Sequence, residues 1–137
     1  MRIAVSTRVE APIERVWAAW TTPEDIVQWN FASPEWCCPR AELALSPGGT
    51  FSYRMEAKDG SAGFDFEGTF VEVDPMKTIT FKLSDDRVVT VSFSGRDDDA
   101  VVVEETFEAE DELSAERQRQ GWQAILETFR TYVESRS

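Results

Sequence analysis

Apolar and polar residues change their spacing twice along this chain, and the changes divide it into elements. From Ile3 to Glu10 they alternate, with Ile3, Val5 and Val9 set against Arg2, Ser6, Arg8 and Glu10 and only Thr7 out of step, which is the period of a half-buried strand. The spacing then lengthens. Ile13, Val16, Trp17 and Trp20 fall at i, i+3, i+4 and i+7 and share one helical face, and Pro12 suits a first position that needs no donor, so a helix is expected from Pro12 to about Trp20. Thr22-Pro23-Glu24-Asp25 starts a second short helix through Trp29, with Thr22 as cap, Pro23 at the first position and acids beside the positive helix end. The segment from Phe31 to Arg40 holds two prolines and the pair Cys37-Cys38 and reads as a loop before a strand from Ala41 to Leu45.

Beyond that point the alternation returns. Pro47-Gly48-Gly49, Lys58-Asp59-Gly60, Asp74-Pro75, Asp85-Asp86 and Gly95-Arg96-Asp97-Asp98-Asp99 separate runs rich in Val, Phe, Thr and Tyr, as hairpin turns separate antiparallel strands. The runs are Thr50 to Ala57, Gly63 to Asp74, Thr78 to Leu83, Arg87 to Ser94 and Ala100 to Glu108, which brings the strands to seven. Phe51, Tyr53 and Met55 share the inward face of the first run; Val89, Val91 and Phe93 do so on the fourth, and Val101, Val103, Glu105 and Phe107 on the fifth. A glycine inside a strand often marks a bulge, so Gly68 leaves the facing of the residues after it open. Helical spacing reappears at Trp122, Ile125, Leu126, Phe129 and Val133. One helix pair, a long antiparallel sheet and a closing helix describe an α+β chain whose sheet wraps a helix, which is the plan of a container.

The totals narrow the partners. A chain of 137 residues is expected to form one domain over residues 1–137, with about 68% of its unfolded surface buried, enough for a core without staples. Five tryptophans and nine phenylalanines supply the apolar area. A net charge of -12 opposes binding to nucleic acid or anionic membrane. The first residues run straight into a strand pattern, with no apolar stretch that reads as a leader or span, and the two cysteines are adjacent, so a cytoplasmic protein with reduced thiols is expected. Histidine is absent, which removes Ser-His-Asp and Cys-His nucleophiles, histidine metal ligands and the usual proton shuttle near neutral pH. No metal and no cofactor is called for.

The run Ala11-Pro12-Ile13-Glu14-Arg15-Val16-Trp17-Ala18-Ala19-Trp20-Thr21-Thr22-Pro23-Glu24 is followed in order by Pro47-Gly48-Gly49-Thr50-Phe51, by Gly68-Thr69-Phe70-Val71-Glu72-Val73-Asp74-Pro75 and by Gly121-Trp122. Over nearly the whole chain these motifs resemble the heat-shock-protein ATPase activator homologue (AHSA-type) family of the START-like, or SRPBCC, superfamily. The resemblance implies a helix-grip fold, in which a seven-stranded antiparallel sheet curls around the long C-terminal helix and two short helices after the first strand close one side, often leaving an apolar cavity. Many members carry a Trp-Trp-Gly-Pro run after the second helix, where this chain reads Trp29-Asn30-Phe31-Ala32-Ser33-Pro34-Glu35-Trp36-Cys37-Cys38-Pro39, so its cavity mouth is expected to be specialised. The family's co-chaperone activity is associated with longer proteins that carry an additional domain; a chaperone partner is thus a less favoured expectation, and the resemblance supports fold more directly than function.

The leading expectation is a small soluble protein that holds an apolar or amphipathic small molecule between sheet and last helix. Its candidate ligand-binding residues are Trp29 and Trp36 near the mouth, Tyr53, Met55, Phe66, Val91 and Phe93 on the sheet, Glu105 and Phe107 on the last strand, and Gln118, Trp122 and Ile125 on the closing helix. The alternative is a cavity enzyme of cyclase- or hydrolase-like acid/base chemistry, with Glu105 carrying the proton and Tyr53 donating a hydrogen bond. A carboxylate facing an apolar interior must find a donor, shift towards neutrality or line a wet cavity, unless a bulge turns it to solvent; Arg54 and Gln118 are conceivable partners. Cys37 and Cys38 have neither CxxC spacing nor a histidine and are expected to be two loop thiols, one of them buried. Asp85-Asp86 and Asp97-Asp98-Asp99 lack calcium-loop spacing and read as solvated turns. Gly121, on the face of Gln118 and Ile125, is explained either by a close approach to the sheet, the expected reason, or by room for a ligand.

Overall fold

The computed structural model describes residues 2–94, 99–109 and 111–136. In chain order the elements are β1 (Arg2–Val9), α1 (Ile13–Thr21), α2 (Pro23–Trp29), β2 (Trp36–Leu43), β3 (Thr50–Ala57), β4 (Gly63–Asp74), β5 (Thr78–Leu83), β6 (Val88–Ser94), β7 (Val101–Glu108) and α3 (Ala115–Ser135). The strands form one antiparallel sheet in the order β1-β7-β6-β5-β4-β3-β2. From β2 to β7 this is a meander, and β1 closes against β7 with Val5 opposite Glu105 and Val9 opposite Val101. The sheet curls into a half-barrel around α3, with the short helices after the first strand, which is the α+β helix-grip arrangement.

Alternation does most of the positioning. Every second residue of β1, from Ile3 through Thr7 to Val9, is buried, and Val89, Val91, Phe93, Val101, Val103 and Phe107 line the same inner face from β6 and β7. On α3 the residues Leu126, Phe129 and Val133 are buried, with Trp122 and Ile125 packed against them. Thr22 ends α1 and begins α2 in an extended conformation; its backbone N–H donates to the Ala18 carbonyl at 3.0 Å, while its side chain makes no capping bond, contrary to the role expected of it. Pro23 does occupy the first turn of α2.

Two strand expectations are corrected. Trp36 to Arg40, expected as loop, belongs to β2, and the strand ends at Leu43 rather than running from Ala41 to Leu45. Its pairing with β3 shifts register between Cys37 and Arg40. β2 is an edge strand, and Pro39, which has no N–H to give, sits within that irregularity, where a strand tolerates it. Cys37 and Cys38 are accordingly strand residues, both free thiols, with Cys38 buried. In β4 the bulge falls between Phe70 and Glu72 and not at Gly68. Gly68 serves a close approach instead: a Cβ there would stand 2.7 Å from both the Lys82 carbonyl oxygen and the Phe51 ring. The Gly95 to Asp98 part of the expected last hairpin turn lies outside the described residues.

Candidate functional site

Helix α3 is held at three places, and the space it leaves is the site. Its polar flank is tied to β1: the Gln123 amide donates to the Ser6 carbonyl at 2.9 Å, the Thr7 hydroxyl to Glu127 at 3.4 Å, and the Glu10 N–H to Glu134 at 2.9 Å. Near its end the Tyr132 hydroxyl donates a hydrogen bond to Asp25 of α2, and Phe129 meets the edges of Trp20 and Trp29 at 4.9 and 4.8 Å between ring centres. Trp122 is stacked flat on Phe107 of β7 at 4.1 Å. So held over β1 and β7, the helix does not fill the curled half of the sheet, and a cavity of about 190 Å³ remains.

The floor of this cavity is aromatic. Phe51, Tyr53 and Met55 of β3, Phe64, Phe66 and Phe70 of β4, and Ile79 and Phe81 of β5 face it, with Leu43 and Leu45 along the β2 side. Trp20, Thr21, Trp29 and Asn30 close the end under the helix pair, and Trp122 and Ile125 form the roof. Phe64 lines the cavity while remaining 49% exposed, so the wall reaches the surface there, with Trp36 tilted against it at 6.1 Å.

Most polar atoms in this wall already have partners. The Trp29 indole N–H donates to the Ala19 carbonyl at 2.9 Å and the Thr21 hydroxyl to that of Trp17 at 2.8 Å. Asn30 bonds through its side chain to Cys38, whose thiol burial pushes up to about 11, too high for a reactive thiolate at neutral pH. Two groups remain. The Glu105 carboxyl, 6% exposed, and the Tyr53 hydroxyl have no hydrogen-bond or ion-pair partner among the described residues. Burial raises Glu105 from 4.5 to about 8, and it raises Tyr53 as well, with the nearby Cys38 adding to the effect. A carboxyl kept neutral at pH 7 donates a hydrogen bond where a carboxylate would only accept.

Of the residues singled out from sequence, Trp29, Tyr53, Met55, Phe66, Glu105, Trp122 and Ile125 stand in the cavity wall. The others do not. Trp36 lies behind Phe64, Val91 is packed in the core, and Phe93 meets the edges of Trp17 and Trp20. Phe107 lies behind the Trp122 ring. Gln118 donates to Ser114 at 2.7 Å and accepts from Arg87, so it is no partner for Glu105, and Arg54 faces outward to Glu56 and Asp65. Gly121 corrects the expected close approach, since a Cβ there would meet nothing within 4 Å. The wall residues not anticipated come from the helix pair, from Leu43 and Leu45, and from Phe51, Phe64, Phe70, Ile79 and Phe81 of the sheet: the facing of Phe70 was left open by Gly68, and alternation, which did place Phe51 inward, does not say which end of the inner face the helix leaves uncovered. Among the described residues no three His, Cys, Asp or Glu side chains gather as a metal site.

A curled antiparallel sheet gripping a C-terminal helix, with an aromatic cavity between them, defines a helix-grip protein, an arrangement consistent with the START-like superfamily. The family model described as Activator of Hsp90 ATPase homolog 1-like protein matches residues 10–134, and the chain belongs to that family. It is similar to the AHSA1-like protein from Aeromonas hydrophila, with 42% identity, 99% of this chain and 94% of that one covered, and a TM-score of 0.91. A protein from Cytophaga hutchinsonii is 41% identical over 98% of this chain and 93% of its own, with a TM-score of 0.83. One from Nitrosomonas europaea shares the fold at a TM-score of 0.85 and 17% identity, covering 99% of this chain and 96% of that one. No curated protein is detectably similar in sequence. No helix among the described residues is long and apolar enough to cross a membrane.

Proposed function

We propose that this protein binds an apolar or amphipathic small molecule in the cavity between the sheet and α3. The observation that carries the reading is the cavity itself, about 190 Å³ walled by Trp, Phe, Tyr, Met and Leu side chains. An apolar void of roughly 150 Å³ takes a benzene-sized molecule, so the occupant here is a single ring with a short substituent or a short chain rather than a large lipid. Trp29, Tyr53, Met55, Phe66, Glu105, Trp122 and Ile125 supply contacts, and the half-exposed Phe64 stands where a ligand would pass. Native mass spectrometry of the purified protein, followed by a screen of small apolar metabolites read by tryptophan fluorescence, tests it. A copurified or added molecule displaced by Phe66→Trp, which shrinks the cavity, is the expected result. A protein that binds none of the screened molecules overturns the reading.

One observation favours a second reading, in which the same cavity catalyses proton transfer. Glu105 keeps its proton up to about pH 8, the range useful to a general acid, and Tyr53 could hold a substrate oxygen by its hydroxyl. Turnover of a bound carbonyl compound that stops in Glu105→Gln distinguishes catalysis from storage.

A further inference from the structure

Glu105 is more than an apolar container requires. It lies mid-strand on β7 with a valine opposite it on either side, Val5 of β1 and Val91 of β6, and it reaches the cavity without a partner among the described residues. Its carboxyl oxygens open onto the cavity, since Arg15 Nε is the one fully buried side-chain N or O atom without a partner among the described residues, and a polar group facing an otherwise apolar space is completed by what occupies that space. Resting on the container reading above, we propose that the cavity takes a neutral molecule carrying a carbonyl-type oxygen, which accepts a hydrogen bond from the Glu105 carboxyl in the cavity wall.

The surroundings choose the neutral acceptor over a cation. Val5 and Val91 flank Glu105 on the neighbouring strands, Trp122 and Ile125 of α3 line the same cavity, and Tyr53 across the sheet is the other titratable group in the wall. Burial alone governs the carboxyl; no charged side chain acts on it. A bound ammonium would gain cation–π contact with the rings, but it would have to ionise Glu105 and leave water itself, and with no further charged group in the wall that is a poor exchange in a low-dielectric site. A carbonyl leaves both partners uncharged. Tyr53 provides a second donor for a ligand with another oxygen.

Three probes of nearly one size and shape separate the possibilities: ethylbenzene, acetophenone and 1-phenylethylamine. Isothermal titration calorimetry at pH 6 and pH 9.5 is expected to show acetophenone binding about 3–10-fold tighter than ethylbenzene at pH 6, the ordinary worth of one such hydrogen bond. That preference disappears at pH 9.5, where the carboxyl has ionised. Glu105→Gln, whose amide still donates, keeps the preference at both pH values, and Glu105→Ala loses it while still binding ethylbenzene. Equal affinities for acetophenone and ethylbenzene at pH 6 would overturn the proposal and leave the container reading standing. Tightest binding of 1-phenylethylamine would overturn it in favour of a cation site. Failure of all three probes to bind would remove the container reading and this inference with it.

Discussion

Replacing Glu105 with glutamine tests the central claim about the cavity, because it removes the proton equilibrium and little else. In the unfolded chain the carboxyl has its ordinary value of 4.5, and in the folded protein about 8. Below pH 4.5 both states are protonated and the group is neutral to stability. Between 4.5 and 8 the folded state holds one proton more than the unfolded, so rising pH favours unfolding by about 1.4 kcal/mol for each pH unit. Above 8 both states are ionised and the loss is complete. At pH 7 the wild type therefore forfeits about 3 kcal/mol that the glutamine variant keeps. The amide faces the same apolar space as the protonated carboxyl, so the cost of an unpaired polar group is common to both proteins. Urea unfolding followed by tryptophan fluorescence at pH 5, 6, 7, 8 and 9 should show Glu105→Gln more stable than wild type by about 0.8 kcal/mol at pH 5, with the gap widening up to about pH 8 and nearly constant beyond it. A difference that does not vary with pH would refute the reasoning, for it would mean that Glu105 titrates alike in both states.

Glycine positions offer opposite expectations. Gly121→Ala should stabilise by about 0.5–1 kcal/mol in the same unfolding assay, because a mid-helix Cβ there meets nothing within 4 Å, and a loss would show a contact that the structure lacks. Gly68→Ala should destabilise by about 1–3 kcal/mol, since the new Cβ would strike the Lys82 carbonyl and the Phe51 ring, and a neutral result would mean that the two strands separate easily. Tyr132→Phe should cost about 1–2 kcal/mol by removing the hydrogen bond to Asp25 that ties α3 to α2, as thermal unfolding would report.

The elements were largely legible in the sequence, because period and punctuation are local properties. Two-residue alternation in Thr50 to Ala57 fixes which side chains face inward whatever the rest of the chain does, and the i, i+3, i+4 pattern does the same for Trp122 to Val133. Alternation put Glu105 among inner residues but left open a bulge that would turn it to solvent, and the regular pairing of β7 with β1 and β6 removes that alternative. Edge pairing was harder to read: Trp36 to Arg40 carries Pro39 and follows Pro34, as a loop would, and only the partner strand β3 turns it into a bulged edge. The cavity itself belonged to the tertiary structure. Alternation marked Val91, Phe93 and Phe107 as inner residues just as it marked Tyr53 and Met55, yet the first three are packed solid and the last two border empty space. The difference depends on where a rigid helix comes to rest over a curled sheet, which is set by long-range ties such as Gln123 to Ser6 and Tyr132 to Asp25. Sequence periodicity states which side of a strand is inside; how much of that inside is filled depends on contacts between residues more than a hundred positions apart.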